Sequence, residues 1–505
     1  MAKRIISMLL CLVMLSFALV ACKKGGDNGA ETSAAPQEEI STGGGNAPAG
    51  EGAETTWETD ENGYVKDNIP DVDLGGRRIS ILAWANAKNW SIPDNGEGND
   101  AIKNEVYLRT LDLKERLNIT LEPVYAGSSA QNKELYEKAT LAGEAEYDLI
   151  ESFSLYPSMI AQQGMLLNLY NYTFPQFEMP WWPESLDNWS QYNCLFFAAD
   201  NSSIAVIHSI ETMYVNLSML ADYGINDLLT TVIDGDWTLD KLYAYTGHFS
   251  GSSQIENEDE RTYGLVVDDF SRMDAFYYSA GFNSTRNDKS GKAELAYASV
   301  TDEALISDWV DKMITIMQRP EATIAKNTKE AMYKKQTAFM VCAMGDIVNM
   351  EADLSYAAIP VPKLDEDQEE YKAINNNGYD VWAIPMYAKD PETSGIVLEA
   401  FASSDYRVLA PFFYEKYLKG RYAVSWQGAE IYDMIRESII YDFGRVSAFS
   451  LSVPEGLFRS CFWDGTEEVN VNKFSTNLAN KNGNRQLEVQ LRELVDVYRE
   501  LANRQ

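Results

Sequence analysis

Histidine is nearly absent: the 505-residue chain has two, His208 and His248. Imidazole is the commonest metal ligand and the usual general base near neutral pH. Its scarcity argues against His-rich metal centres and leaves few routes to histidine catalysis. Positive charge is also short. Lys and Arg total 42 against 76 Asp and Glu, a formal net charge of −34. Such a chain has no bulk attraction to phosphate backbones or anionic lipid surfaces, so nucleic acid is excluded as a partner. Cysteine is sparse, at five. Cys194, Cys342 and Cys461, those beyond the N-terminal segment, are an odd and widely spaced set rather than a disulfide framework. Buried thiols are the expectation, and one disulfide beside one thiol is the alternative. Also missing are a zinc-protease helix, a Gly-x-Ser-x-Gly elbow, a phosphate loop and a Gly-x-Gly-x-x-Gly turn after a strand. The acidic stretches Asp94–Asp100 and Asp464–Glu468 lack full EF-hand spacing and read as solvated loops. No metal and no cofactor is expected.

Apolar residues are plentiful, 45% of the chain, and the length suffices for two or three domains with a large core. Lys3 and Arg4 precede a near-continuous apolar run, Ile5 to Ala21, followed by Cys22. A basic start, a short apolar run and a small residue before cysteine make a lipoprotein signal, so residues 1–21 are expected to be removed and Cys22 acylated. The alternatives are an uncleaved anchor or an ordinary secretory signal. Residues 22–64 are rich in Gly, Ala, Ser, Thr, Asn and Glu, which cannot bury enough surface to fold, and read as a tether. The location implied is the outer, extracytoplasmic face of a cell membrane, held through lipid alone.

Beyond the tether, strand and helix signals alternate. Arg77–Trp84 reads as a strand after Gly75-Gly76, Asn104–Leu117 as a helix, Ile119–Val124 as a strand and Gln131–Ala142 as a helix. Tyr147–Glu151 reads as a strand and Tyr156–Gln163 as a helix. The class is therefore α/β with a largely parallel sheet. Further on, Ser203–Val215 reads as β-rich, Thr238 as a helix N-cap, Glu303–Gln318 as a helix and Ala338–Met344 as a buried strand. Tyr356–Pro362 is extended, Asp380–Pro385 a strand, and Glu392–Ser403 and Gln486–Ala502 are helices.

Several of these pieces resemble extracellular solute-binding proteins of ABC transporters, the carbohydrate-type group that includes maltose-binding protein. Ile69-Pro70 to Gly75-Gly76 is similar to the lead-in of tethered binding proteins, and Asn99-Asp100-Ala101 with Arg109 and Glu115–Asn118 to their first helix and second strand. Tyr147–Ile150 followed by Gly164–Leu169 resembles their "YD-strand, helix, G-L-L-x-x-L" unit. Met213–Asn216, Gly224-Ile225 and Asp236-Trp237-Thr238 resemble the "Y-x-N … G-x … W-T/D-E-L" run. Met332–Met340 resembles "F-x-x-G-x-A-A-M", with Gln336 in place of the usual turn glycine. The resemblance spans about residues 70–500. It implies a two-lobed periplasmic-binding-protein-like fold of type II, whose lobes close over a ligand and are joined by three hinge crossings. By order, lobe one is expected at 65–205 and 346–398, and lobe two at 206–345 and 399–505. The crossings are expected near Ser203–Ile210, Cys342–Asp346 and Gly395–Ala402.

In open α/β sheets ligands meet the carboxyl ends of strands, so the candidate contacts are sought there. Trp84, Asn86 and Trp90 follow the first strand, where a ring covers the apolar face of a sugar and an amide bonds its hydroxyls. Glu151, Ser152 and Phe153 follow the YD strand, and a carboxylate there accepts two hydroxyl hydrogen bonds. Capping of the next helix is the alternative for the serines. Glu211 lies at the first expected crossing and Asp346 at the second. Tyr379, Asp380 and Trp382 follow the Asn375–Gly378 turn, with Asp380 and Trp382 sharing one strand face. In lobe two the candidates are Phe276, before Ala280-Gly281, and Phe449 in a Ser447-Ala448-Phe449 turn that resembles a binding-cleft turn of the maltose-type proteins. The ring expected after that turn is Ser450 here. Trp181-Trp182-Pro183 reads as packing for a surface turn. The resemblance implies a receptor, monomeric and not an enzyme, that captures a carbohydrate and hands it to ABC permease subunits. The alternatives are a peptide or amino-acid binder of the same fold and a secreted polysaccharide-active enzyme.

Overall fold

The computed structural model describes residues 57–93, 96, 100–255, 260–267, 272–296, 300–319, 322–324, 336–349, 355–423, 425–451 and 481–504. Cys22, Cys461, the Asp464–Glu468 loop and most of the Met332–Met340 motif before Gln336 lie outside them.

The strand β1 (Arg77–Ala83) runs from a polar start to a fully buried end, Ile81-Leu82-Ala83. It pairs in parallel along its whole length with β2 (Ile119–Tyr125), and at its end with β3 (Leu149–Phe153). The first crossover is helix α1 (Ala101–Leu117), which starts where the Asp100 carboxylate accepts from the N–H groups of Ile102 and Lys103. It stops at Asn118, whose φ of 48° is the left-handed conformation asparagine tolerates at a helix end. The second crossover is α2 (Ser129–Leu141), capped by Ser128.

The chain then builds a second sheet. β4 (Glu211–Asn216), β5 (Tyr263–Val267), β8 (Ala322–Ile324), β9 (Thr337–Ala343) and β10 (Tyr356–Ile359) lie in the order β10-β4-β9-β5-β8. β4 is antiparallel to both β9 and β10, and β5 is parallel to β8 and β9. β6 (Thr285–Asn287) and β7 (Ala293–Leu295) form a separate hairpin. Finally β11 (Asp380–Ala383) returns to the first sheet, antiparallel to β3, and completes the order β11-β3-β1-β2.

Two expectations are corrected here. Ser203–Val215 is not one β segment: Ile204–His208 is a turn of helix capped by Ser203, and only Glu211–Asn216 is strand. A short run of β-branched and apolar residues cannot be told from a buried helical turn by its pattern. β10, which the expected 346–398 segment would place in the first lobe, is an edge strand of the second sheet.

Three segments, at 209–211, 373–376 and 438–440, lie side by side. The N–H of Glu211 donates to Ile374 O at 2.8 Å and that of Asn376 to Ser209 O at 2.7 Å. The N–H of Ala373 donates to Ser438 O, and that of Ile440 to Ala373 O, both at 2.9 Å. Two of the segments expected as crossings, Cys342–Asp346 and Gly395–Ala402, fall in regular structure. Cys342 ends inside β9, and Gly395–Ala402 lies within the continuous helix α3 (Pro391–Ser404).

That helix is held by a buried carboxyl group. Glu399 accepts from the indole N–H of Trp181 at 3.2 Å and of Trp182 at 2.9 Å, and from the N–H of Gln176 at 3.1 Å. Trp181 and Trp182 therefore sit in the core rather than under a surface turn. Burial pushes the Glu399 carboxyl up to about 7 against these donors. Cys194 and Cys342 are both buried as thiols.

Candidate functional site

The parallel strands of the first sheet end together, and β11, running the other way, begins at the same edge. Register puts Ala83 beside Glu151, Glu151 beside Trp382, and Phe153 beside Asp380. Trp84, one residue past β1, donates its N–H to Glu151 O at 3.2 Å and its indole N–H to Asp380 Oδ1. Asn132 of α2 donates its side-chain amide to the same Glu151 carbonyl at 3.2 Å. Thus Trp84, Glu151, Asp380 and Trp382 are brought to one place, all buried.

The electrostatics of this place are unbalanced. Arg109 of α1 pairs with Asp405 at 3.0 Å, donates to Ser91 O at 3.0 Å, and lies 4.9 Å from the Phe401 ring centre. Trp382 stacks on the same Phe401 ring at 5.2 Å. The Arg109 guanidinium acts on Glu151, Asp405 and Asp200, and Asp380 lies against Glu151. Burial, which penalises ionisation, raises all four acids. Asp380 and Asp405 are each pushed up to about 6, and Glu151, with Asp380 as a second cause, well above the ordinary range. Burial and their closeness thus favour the protonated form of both Glu151 and Asp380.

From Trp84 a series of rings runs toward the surface. Trp84 meets Phe153 at 5.4 Å, Phe153 meets Tyr156 at 6.0 Å, and Tyr156 meets Phe449 at 5.3 Å. Trp84 is buried, Phe153 and Tyr156 are half-buried, and Phe449 is 42% exposed. Trp90 ends the single turn Ala87–Trp90 and packs on His208, with ring centres 4.7 Å apart. Asn86 opens that turn, half-buried and making no capping bond. Ser152 is buried in β3 and caps nothing; the helical turn that follows starts at Tyr156 without a side-chain cap.

A second group gathers at the crossing. Glu211, the first residue of β4, pairs with Arg272 at 2.7 Å, and Asp346 lies 3.8 Å from the same guanidinium. Asp346 accepts from Ala343 N–H at 3.2 Å, closing the end of β9. Burial pushes Glu211 up to about 6, with Arg272 opposing. Arg445 joins this group, donating to Asn375 O at 3.1 Å and pairing with Asp274 at 2.8 Å. Two candidates are elsewhere in the packing. Phe276 is wholly buried in the core beside the second sheet, its carbonyl accepting from the Trp309 indole at 3.0 Å. Tyr379 is buried too, its hydroxyl beside Ser154 and near Arg445.

Sequence reasoning missed Arg272, Arg445, Asp405 and Tyr156 as members of these groups. Arg109 carried a readable signal: it sits with Val106, Thr110, Leu113 and Leu117 on the buried face of α1. A charge on an apolar stripe calls for a buried partner.

No protein-family model matches the chain, and no curated protein matches it in sequence. Solved structures do match it. The galacto-N-biose-/lacto-N-biose I-binding protein of the ABC transporter from Bifidobacterium longum, in complex with lacto-N-biose, aligns at a TM-score of 0.57 and 11% identity, over 82% of this chain and 98% of that one. A cyclo/maltodextrin-binding protein complexed with maltotetraose aligns at 0.50 and 11% identity, over 85% and 98%. At this identity the likeness is one of fold, and the chain has the two-lobed α/β architecture of these proteins.

Proposed function

We propose that this protein is an extracytoplasmic receptor that captures a carbohydrate between its lobes and delivers it to an ABC permease. The observation that carries the reading is the meeting of Trp84, Glu151 and Asp380 at the carboxyl edge of the first sheet, continued outward by Phe153, Tyr156 and Phe449. Buried carboxyl groups accept and donate hydrogen bonds to hydroxyls, and a series of ring faces suits an extended saccharide. The shared fold with two proteins solved in sugar complexes supports it.

In this reading Trp84, Asn86, Trp90, Glu151, Ser152, Phe153, Asp380 and Trp382 form or support the lobe-one wall. Glu211, Asp346 and Tyr379 line or brace the crossing, and Phe449 extends the platform. The segments 209–211, 373–376 and 438–440 are the hinge. No chemical step is involved: two lobes closing on a sugar with micromolar affinity supply about 8 kcal/mol and leave the cargo intact. The receptor works as a monomer, tethered through an acylated Cys22 on the outer face of the membrane. Radiolabelled palmitate incorporation tests that anchor; it is lost in Cys22→Ser, and retention of label in that variant contradicts the assignment. Calorimetric titration with maltotetraose and lacto-N-biose tests the cargo class, with unchanged sugar recovered afterwards.

A further inference from the structure

The candidate-bearing loop after β1, the first crossing and the turn after β9 meet at one point. Trp90, from the lobe-one loop, packs its ring on the imidazole of His208, centre to centre at 4.7 Å. His208 ends the helical turn that enters the first crossing, two residues before Ile210. Gly345, in the turn after β9, lies against the same ring. A Cβ built on Gly345 would stand 1.9 Å from His208 Cδ2 and 2.1 Å from Cγ. No heavy atom tolerates that approach, so glycine is required here for space, not for an unusual backbone angle. The backbone beside it is fixed as well, because the N–H of Met344 donates to Ile210 O at 2.7 Å. The imidazole thus touches both the Trp90 ring and the backbone at Gly345.

We infer that His208 is a positioning residue: its ring is the spacer that sets the separation of the lobes beside the hinge and holds Trp90 in place for the ligand. This rests on the reading of the two lobes as closing on a sugar. Added bulk at Gly345 must shift the imidazole that packs on Trp90 or pry the Met344 and Ile210 backbones apart. Either outcome disturbs capture without touching the ligand.

The test is a double-mutant cycle in the full chain, using Gly345→Ala, His208→Ala and the two combined. One readout is maltotetraose and lacto-N-biose affinity. The other is amide exchange at Met344 and Glu211, whose hydrogen bonds span the crossing. Gly345→Ala is expected to weaken binding about tenfold, which is about 1.4 kcal/mol, and to speed exchange at Met344. Removing the imidazole removes the clash, so the double variant is expected to return to within about twofold of His208→Ala alone, a strong departure from additivity. Gly345→Ala with unchanged exchange, or a double variant as disturbed as Gly345→Ala, would overturn the inference. If the wild-type chain binds neither sugar, the carbohydrate reading fails, and the exchange cycle still decides the spacer.

Discussion

The indole N–H of Trp84 donates to the carboxylate of Asp380, a residue 296 positions further along the chain, and both are buried. The bond ties the loop after β1 to the start of β11, so the two strands that flank β3 present their ends as one surface. Asp380→Ala leaves the indole without this acceptor and is expected to cost about 1–3 kcal/mol in urea denaturation. Asp380→Asn keeps an acceptor oxygen and is expected to cost less than half of that.

Buried acids make stability depend on pH. Asp380 rises from 3.8, and Glu211 from 4.5, each to about 6 on folding. Between those values the folded chain holds protons that the unfolded chain has released. Their contribution is full below about pH 4 and is lost as pH rises through about 6. Melting temperature is therefore expected to fall between pH 5 and pH 7.5. Glu151→Gln removes a neighbouring acid raised by the same burial, and the fall is expected to become shallower in that variant.

The Glu399 carboxylate holds two indoles and a backbone N–H. Glu399→Ala leaves these buried donors unpaired and is expected to cost about 2–4 kcal/mol. Gly395 sits one turn earlier on the same helix, where a Cβ would stand 2.1 Å from the Phe174 carbonyl oxygen. Gly395→Ala is expected to destabilise by at least about 1–3 kcal/mol through overpacking. Both are read from guanidinium chloride midpoints.

Phe449 separates affinity from stability. Its ring is 42% exposed, so Phe449→Ala is expected to leave the denaturation midpoint within about 0.5 kcal/mol of wild type. As the outermost ring of the series it is expected to matter more for a tetrasaccharide than for a monosaccharide. Equal losses for both, measured by calorimetry, contradict its place in the platform.

Local signals carried much of the fold. The crossover helix α1, the Thr238 cap, which accepts from Lys241 N–H, and the β1–β2–β3 unit are all as the sequence pattern implies. What the pattern missed depends on distant partners. Trp181-Trp182 looked like surface-turn packing because the acceptor that buries both indoles, Glu399, is more than two hundred residues away. The sheet to which Tyr356–Ile359 belongs is set by pairing with Met213–Asn216, which strand propensity cannot see. Trp84, Glu151, Asp380 and Trp382, singled out as strand-end residues, do come together in the structure. Arg272 and Arg445 were not singled out, since each is a lone arginine until the crossing brings Glu211 or Asp274 against it.

The most direct test is thermal melting of the full chain against mono- and oligosaccharides, including maltotetraose and lacto-N-biose, with peptides and amino acids alongside. A ligand at a hundred times its dissociation constant adds about 2.7 kcal/mol to the folded state. The account predicts an upward shift with one class of glycan, recovered unchanged. A flat response to every sugar with a shift for peptides, or a glycan recovered cleaved, would contradict it.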